Sequence, residues 1–93
     1  MKPSKGSKPK KVNFVLGAPH ASHVSLAGEF NSWNTTTHPM KKDKSGVWKI
    51  SLNLLPGAYQ YRFFVEGGWQ DDPESKECVP NPFGSHNCVM RVE

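Results

Sequence analysis

Only two cysteines occur in the 93 residues, no apolar run approaches the ~20 residues of a membrane span, and no window shows a 3.6-residue apolar period. The missing run excludes a membrane helix, and the missing period excludes a helix bundle. Hydrophobic residues make up only 35% of the chain, but many are aromatic, and aromatic rings bury large areas per residue. Eight glycines and eight prolines demand many turns, which suits an all-β domain better than a helical one. The length fits one domain, near the size at which a core can stand alone.

The net charge of +4 is unevenly placed. Lys2, Lys5, Lys8, Lys10 and Lys11 supply five of the twelve basic residues, so the remaining seven basic and eight acidic groups leave the body at −1. Residues 1–11 are therefore expected to form a disordered, solubilising lysine-rich tail, and residues 12–93 the folded module. A near-neutral body is a poor nucleic-acid surface, although the tail can attract nucleic acid weakly. The tail has no apolar stretch of the kind a secretory signal needs, which gives a cytoplasmic protein as the expectation. Cys78 and Cys88 flank a loop and could face one another across a hairpin; without a secretion signal, reduced thiols are expected.

Chemistry is equally constrained by what is missing. The serines lie in the tail, in turns or on strand faces, with no nucleophile-elbow signature. Asp71, Asp72 and Glu74 cluster, but adjacent strand residues point to opposite faces, whereas glycoside hydrolysis needs two carboxylates flanking one bond. His20, His23, His38 and His86 make no metal-ligand pattern, and no cofactor is called for. The expectation is a protein that binds rather than catalyses.

What is present reads as short strands. Val12, Phe14 and Leu16 open a first strand, and Val24 and Leu26 mark a second within Ser22–Gly28. Glu29–Thr36 is a polar loop that displays Trp33, and Lys41-Lys42 is a short edge strand, where lysines discourage unwanted pairing. Asp43–Gly46 is a type I turn closed by glycine, and Trp48, Ile50, Leu52 and Leu54 form the apolar face of the strand after it. Pro56-Gly57 suits a type II turn. From there Tyr59, Tyr61, Phe63 and Val65 share one face of a strand, and Ala58, Gln60, Arg62 and Phe64 the other. Glu66-Gly67-Gly68 reverses the chain, Trp69 starts a short return strand, and Asp72-Pro73 ends it. After a loop over Pro80–Asn87, Val89, Met90 and Val92 close the fold. Seven to eight such strands predict an all-β, immunoglobulin-like (early-set) sandwich. The expected core is Phe14, Leu26, Trp48, Ile50, Leu52, Tyr59, Tyr61, Phe63 and Val65.

Two indoles on loops invite a ligand. A flat ring matches the C–H face of a pyranose, while Arg62 and Asn87 offer donors and an acceptor for hydroxyls. Composition leaves a second reading open, in which Trp33 and Trp69 fold back over the ends of a small core.

Gly28-Glu29-Phe30-Asn31-Ser32-Trp33, the run Leu55–Trp69, and Asp72-Pro73 together resemble the glycogen-binding modules, family 48 of the carbohydrate-binding modules, from about Val12 to Val92. Such modules occur in the β subunits of AMP-activated protein kinase and at the N-termini of isoamylases and glycogen branching enzymes. The resemblance implies non-catalytic binding of α-1,4-linked glucan such as glycogen, starch or maltooligosaccharide. It implies stacking on Trp33 and Trp69, and polar contacts from Arg62 (a lysine in the kinase-type modules) and Asn87. Phe83, in place of a leucine, and Ser85, in place of a threonine, fall on a loop that meets the glucan. An alternative role is a regulatory domain docking on a glucan-metabolising enzyme or kinase; no membrane partner is expected.

Overall fold

The computed structural model describes residues 8–82 and 84–93. Eight strands are present among them: β1 (Lys10–Gly17), β2 (Val24–Gly28), β3 (Lys41–Lys42), β4 (Val47–Leu54), β5 (Gly57–Val65), β6 (Gly68–Gln70), β7 (Cys78–Pro80) and β8 (His86–Val92). A single 3₁₀ turn, Glu29–Asn31, follows β2. All pairings are antiparallel. One sheet runs β1-β4-β3; the other runs β2-β5-β8-β7, with β6 pairing to the end of β5. The two sheets make the expected all-β sandwich, and the chain crosses between them after β1, after β2 and after β4.

Alternation within the strands builds the interior. Phe14 and Leu16 of β1, Leu26 of β2, Trp48 of β4, and Tyr61 and Phe63 of β5 are buried, and Val12, Ile50, Leu52, Tyr59 and Val65 pack against them half-exposed. Phe14 meets Tyr61 edge-on across the two sheets, with ring centroids 5.1 Å apart at 72°. Burying each such ring contributes about 1.5–3 kcal/mol. Polar atoms carried inward find partners: Trp48 Nε1 donates to the Ala18 carbonyl at 2.9 Å, and the Tyr61 hydroxyl donates to Asp72 Oδ2 at 2.6 Å. Burial, then the Asp72 carboxylate beside it, pushes the Tyr61 phenol well above its usual range.

The structure shifts several local expectations. β1 begins at Lys10, two residues before the apolar pattern starts, because β4 runs on to Leu54 and Lys10 and Lys11 pair with Leu54 and Asn53. Ladder length, not hydrophobicity, sets that end. Gly57 sits at φ 153°, far from the ~80° of a type II turn. It is already the first residue of β5, opposite Val92, and the link from Leu54 is a crossover between sheets, tied by the Tyr59 hydroxyl donating to the Leu55 carbonyl at 2.6 Å. The β5–β6 turn has Glu66 (φ 49°) and Gly67 (φ 88°) at its centre, since Val65 pairs with Gly68. Two positive φ values make it the primed type that matches strand twist. Glu66 occupies a conformation that disfavours side chains, and its carboxylate accepts from the backbone N–H and hydroxyl of Ser22, which lowers its pKa.

Cys78 and Cys88 lie directly opposite each other on β7 and β8, and both are free thiols. Cys88 is fully buried, and burial pushes its thiol up to about 11. The Asp72 N–H donates to its sulfur at 3.2 Å.

Candidate functional site

The outer face of the larger sheet carries the candidate site. Four features of the chain put it there. The first is the 3₁₀ turn after β2. Asn31 Oδ1 accepts the Gly28 N–H at 3.1 Å, and its Nδ2 donates to the Leu26 carbonyl at 3.0 Å and meets His38 Nδ1 at 2.8 Å. Ser32 (φ 56°) and Trp33 (φ 60°) then take left-handed conformations in succession, closed by the Trp33 N–H donating to the Gly28 carbonyl at 2.8 Å. Two non-glycine residues held this way mark a segment whose surroundings over-determine it, a pattern concentrated at ligand sites.

Gly28 is the second. A Cβ there would lie 2.6 Å from the Gln60 carbonyl oxygen and 2.8 Å from the Phe30 ring. Only glycine lets the turn approach β5 this closely. Glu29 completes the junction: its Oε1 accepts the Gln60 N–H at 2.8 Å, replacing the ladder bond lost where β2 ends.

Third, β5 alternates outward with Gln60, Arg62 and Phe64, and β6 sets Trp69 opposite Phe64. Trp69 is 44% exposed. Its ring packs edge-on against Phe64 (centroids 5.0 Å apart) and against Trp33 (6.2 Å, planes 74° apart), and the Arg62 guanidinium lies 5.8 Å from its centre. Arg62 is drawn in rather than reaching out. Its Nε is 3.0 Å from Asp71 Oδ1 but has no aligned acceptor, so charge rather than a directed hydrogen bond holds the pair. Asp71 thus serves Arg62 while Asp72 serves Tyr61, on opposite faces of the strand end as alternation requires.

The fourth is the β7–β8 hairpin. Asn87 is not in the loop, as the turn-forming residues around it suggest, but on β8, paired with Val79. Its Oδ1 accepts from Asn81 Nδ2 and its Nδ2 donates to Gln60 Oε1, both at 3.0 Å. Ser85 closes the loop, its N–H donating to Asn81 Oδ1 at 3.1 Å and its carbonyl accepting from the Asn81 N–H at 2.9 Å. Phe83 lies outside the described residues.

These features surround an open groove of about 480 Å³. Four expected residues line it: Trp33, Arg62, Trp69 and Asn87. So do Glu29, Gln60, Asn81 and Pro82, to which neither motif nor resemblance gave a site role; Ser85 is not among the lining residues. Gln60 had a usable signal, since it shares the outward face with Arg62. Asn81-Pro82 had none, because an Asn-Pro pair in a loop reads as turn chemistry alone. The groove offers flat apolar faces, neutral amides, the Arg62 cation paired with Asp71 and the Glu29 carboxylate bonded to the Gln60 N–H, the surface a polyhydroxylated neutral ligand complements. Among the described residues no group of three or more His, Cys, Asp or Glu could hold a metal ion.

Such a face on a β-sandwich defines a carbohydrate-binding module. Residues 2–84 match the model of carbohydrate-binding module 48, the isoamylase N-terminal domain, and the chain belongs to that family. A 1,4-alpha-glucan branching enzyme GlgB of Aquifex aeolicus is 40% identical over 85 residues, covering 85% of this chain and 13% of that protein. Protein PTST homolog 2, chloroplastic, of Arabidopsis thaliana is 47% identical over 53 residues, 57% of this chain and 10% of that protein. Protein FLOURY ENDOSPERM 6, chloroplastic, of Oryza sativa subsp. japonica is 35% identical over 60 residues, 64% of this chain and 11% of that protein. The chain spans about a tenth of the length of these relatives. Two of them are chloroplast proteins by name, so the similarity lends no support to the cytoplasmic expectation. No helix among the described residues is long and apolar enough to cross a membrane.

Proposed function

We propose that this module binds α-1,4-linked glucan, without catalysis, in the groove on the outer face of the β5 sheet. Trp33 and Trp69 are the stacking surfaces. Arg62 steadies Trp69 and offers its terminal nitrogens, Asn87 is the amide contact, and Ser85 and Phe83 belong to the loop that meets the glucan. One observation carries the reading: two indoles stand 6.2 Å apart with planes at 74°, beside an amide already fixed by its neighbours. Surfaces inclined this steeply fit successive glucoses of a chain that bends, as an α-1,4-glucan does, and not the flat ribbon of a β-1,4-glucan. Native gel retardation with glycogen, amylopectin, β-glucan and DNA side by side tests it. Retardation by the two α-glucans alone is the expected result; retardation by DNA, or equally by β-glucan, would sink it.

A second role, docking on a glucan-metabolising enzyme or kinase, is favoured by the branching-enzyme relatives, in which the matching segment is a small part of an enzyme chain. Among the described residues the large exposed hydrophobics are Val15 on β1, Leu55 between β4 and β5, and Trp69, which lines the groove itself. Glucan binding therefore stands first.

A further inference from the structure

The amides around Asn87 form a directed relay, and its direction is set at one end. The Ser85 backbone N–H, which can only donate, points at the Asn81 side chain at 3.1 Å, so the atom facing it must be the oxygen Oδ1. Asn81 Nδ2 is then committed to donate, and it does so to Asn87 Oδ1; Asn87 Nδ2 in turn donates to Gln60 Oε1. Asn81 is also held by its backbone, whose N–H and carbonyl bond to Ser85 and Gly84 across the loop at 2.9 and 3.4 Å. Neither Asn87 nor Gln60 can reverse its amide without setting two like groups face to face. What remains for a ligand in the groove follows from subtraction. Asn87 keeps one N–H and one oxygen lone pair, and Gln60 keeps its NH₂ group and one oxygen lone pair.

We propose that Asn81 is a positioning residue that fixes this relay, so that Gln60 presents its NH₂ group and Asn87 its remaining N–H to the glucan in one fixed order, each beside an oxygen with one lone pair left. The inference rests on the glucan-binding reading above and adds Gln60 to the residues that touch the sugar. Hydroxyls of a neutral glucan accept from Gln60 and Asn87 while donating to Asn87 Oδ1. A reversed relay would present an oxygen at Gln60 instead and unmatch that pattern.

Asn81→Asp tests the relay with little change of shape. A carboxylate still accepts the Ser85 N–H but cannot donate to Asn87, so the Asn87 amide turns to donate to it. In the ligand-free protein the Asn87 and Gln60 side-chain NH₂ signals in nitrogen-resolved NMR should move, while backbone signals outside residues 78–90 stay put. Affinity for maltoheptaose should fall about fivefold, the scale of one net hydrogen bond. The same change in an Asn87→Ala background should cost less than about twofold, because nothing is left to be oriented. Gln60→Glu keeps the acceptor that Asn87 uses and removes the NH₂ donors, and should lose about fivefold with the Asn87 signals still in place. Unmoved NH₂ signals with parental affinity in Asn81→Asp overturn the proposal. So do losses that multiply in the double variant, since Asn81 would then be a direct contact. Trp33→Ala is measured alongside: parental affinity there removes the glucan reading, whereas the ligand-free NH₂ signals decide the relay independently.

Discussion

The two outer faces of this sandwich are made by the same alternation and differ in almost everything else. On the β1-β4-β3 sheet the outward side chains include Asn13, Val15, Lys49 and Ser51, joined by local contacts such as Ser51 to Asn13 and Lys49 to Asp43. The Lys49 side chain remains 59% exposed. On the β5 sheet the outward cation, Arg62, is only 15% exposed, caught between an indole and a carboxylate, and the amides beside it are bonded in series. A solvated face needs only polarity. The face proposed to bind holds side chains whose freedom was lost on folding, so that a ligand would not have to restrict them again.

The comparison is most easily broken at the indoles. Trp33→Ala or Trp69→Ala should each remove about 2 kcal/mol or more of glucan affinity, roughly thirtyfold, and bring a weak binder near the detection limit. Lys49→Ala and Ser51→Ala on the opposite face should titrate with maltoheptaose like the parent. Equal losses on both faces would dissolve the distinction.

Gly28→Ala comes next, and it acts on fold and site together. The added methyl meets the Gln60 carbonyl and the Phe30 ring, so we expect a stability loss of about 1–3 kcal/mol in urea titration. Because the Gly28 carbonyl also holds Trp33, surviving folded protein should bind glucan less tightly. An unchanged unfolding midpoint would show that the turn has room to move away.

Smaller effects sharpen the contrast. Arg62→Ala and Asn87→Ala should each cost about 1 kcal/mol of affinity, less than either indole, because hydrogen bonds to sugar replace bonds to water. The inner side supplies a control through Tyr61. Its phenol is raised in the folded state, so its share of stability is complete below about pH 10 and is lost as pH climbs beyond. Tyr61→Phe should be about 1 kcal/mol less stable at neutral pH and should lack that part of the alkaline decline in urea titrations. Identical pH profiles would remove Tyr61 from the account. The smallest expected effect is none: raising salt should leave glucan affinity unchanged, as should deleting residues 1–9, which spares the paired Lys10 and Lys11. A steep salt dependence would transfer binding to the lysine-rich end.

Much of this molecule could be read from its residues in order. Period-two alternation identified the core face of β4 and β5, turn formers located most strand ends, and four of the six residues that resemblance selected, Trp33, Arg62, Trp69 and Asn87, line one groove. Alternation works because side-chain direction in a strand is a local property that needs no knowledge of the partner. The features it could not reach all depend on pairing between distant segments. Sequence determined that Asn87 carries an amide; only the pairing of β8 with β7 and β5 decided that it lies on a strand between Asn81 and Gln60, 27 residues away from the latter. Sequence likewise supplied Arg62 as a cation, but the β5–β6 hairpin turned its charge toward Asp71 and its plane toward Trp69. Even the strict need for Gly28 does not come from its own backbone, which is extended; the demand comes from the Gln60 carbonyl on β5, and from the Phe30 ring, pressing on the space where a Cβ would stand. Direction along one strand is fixed by covalent geometry, whereas what that direction meets is fixed by which strands lie beside it.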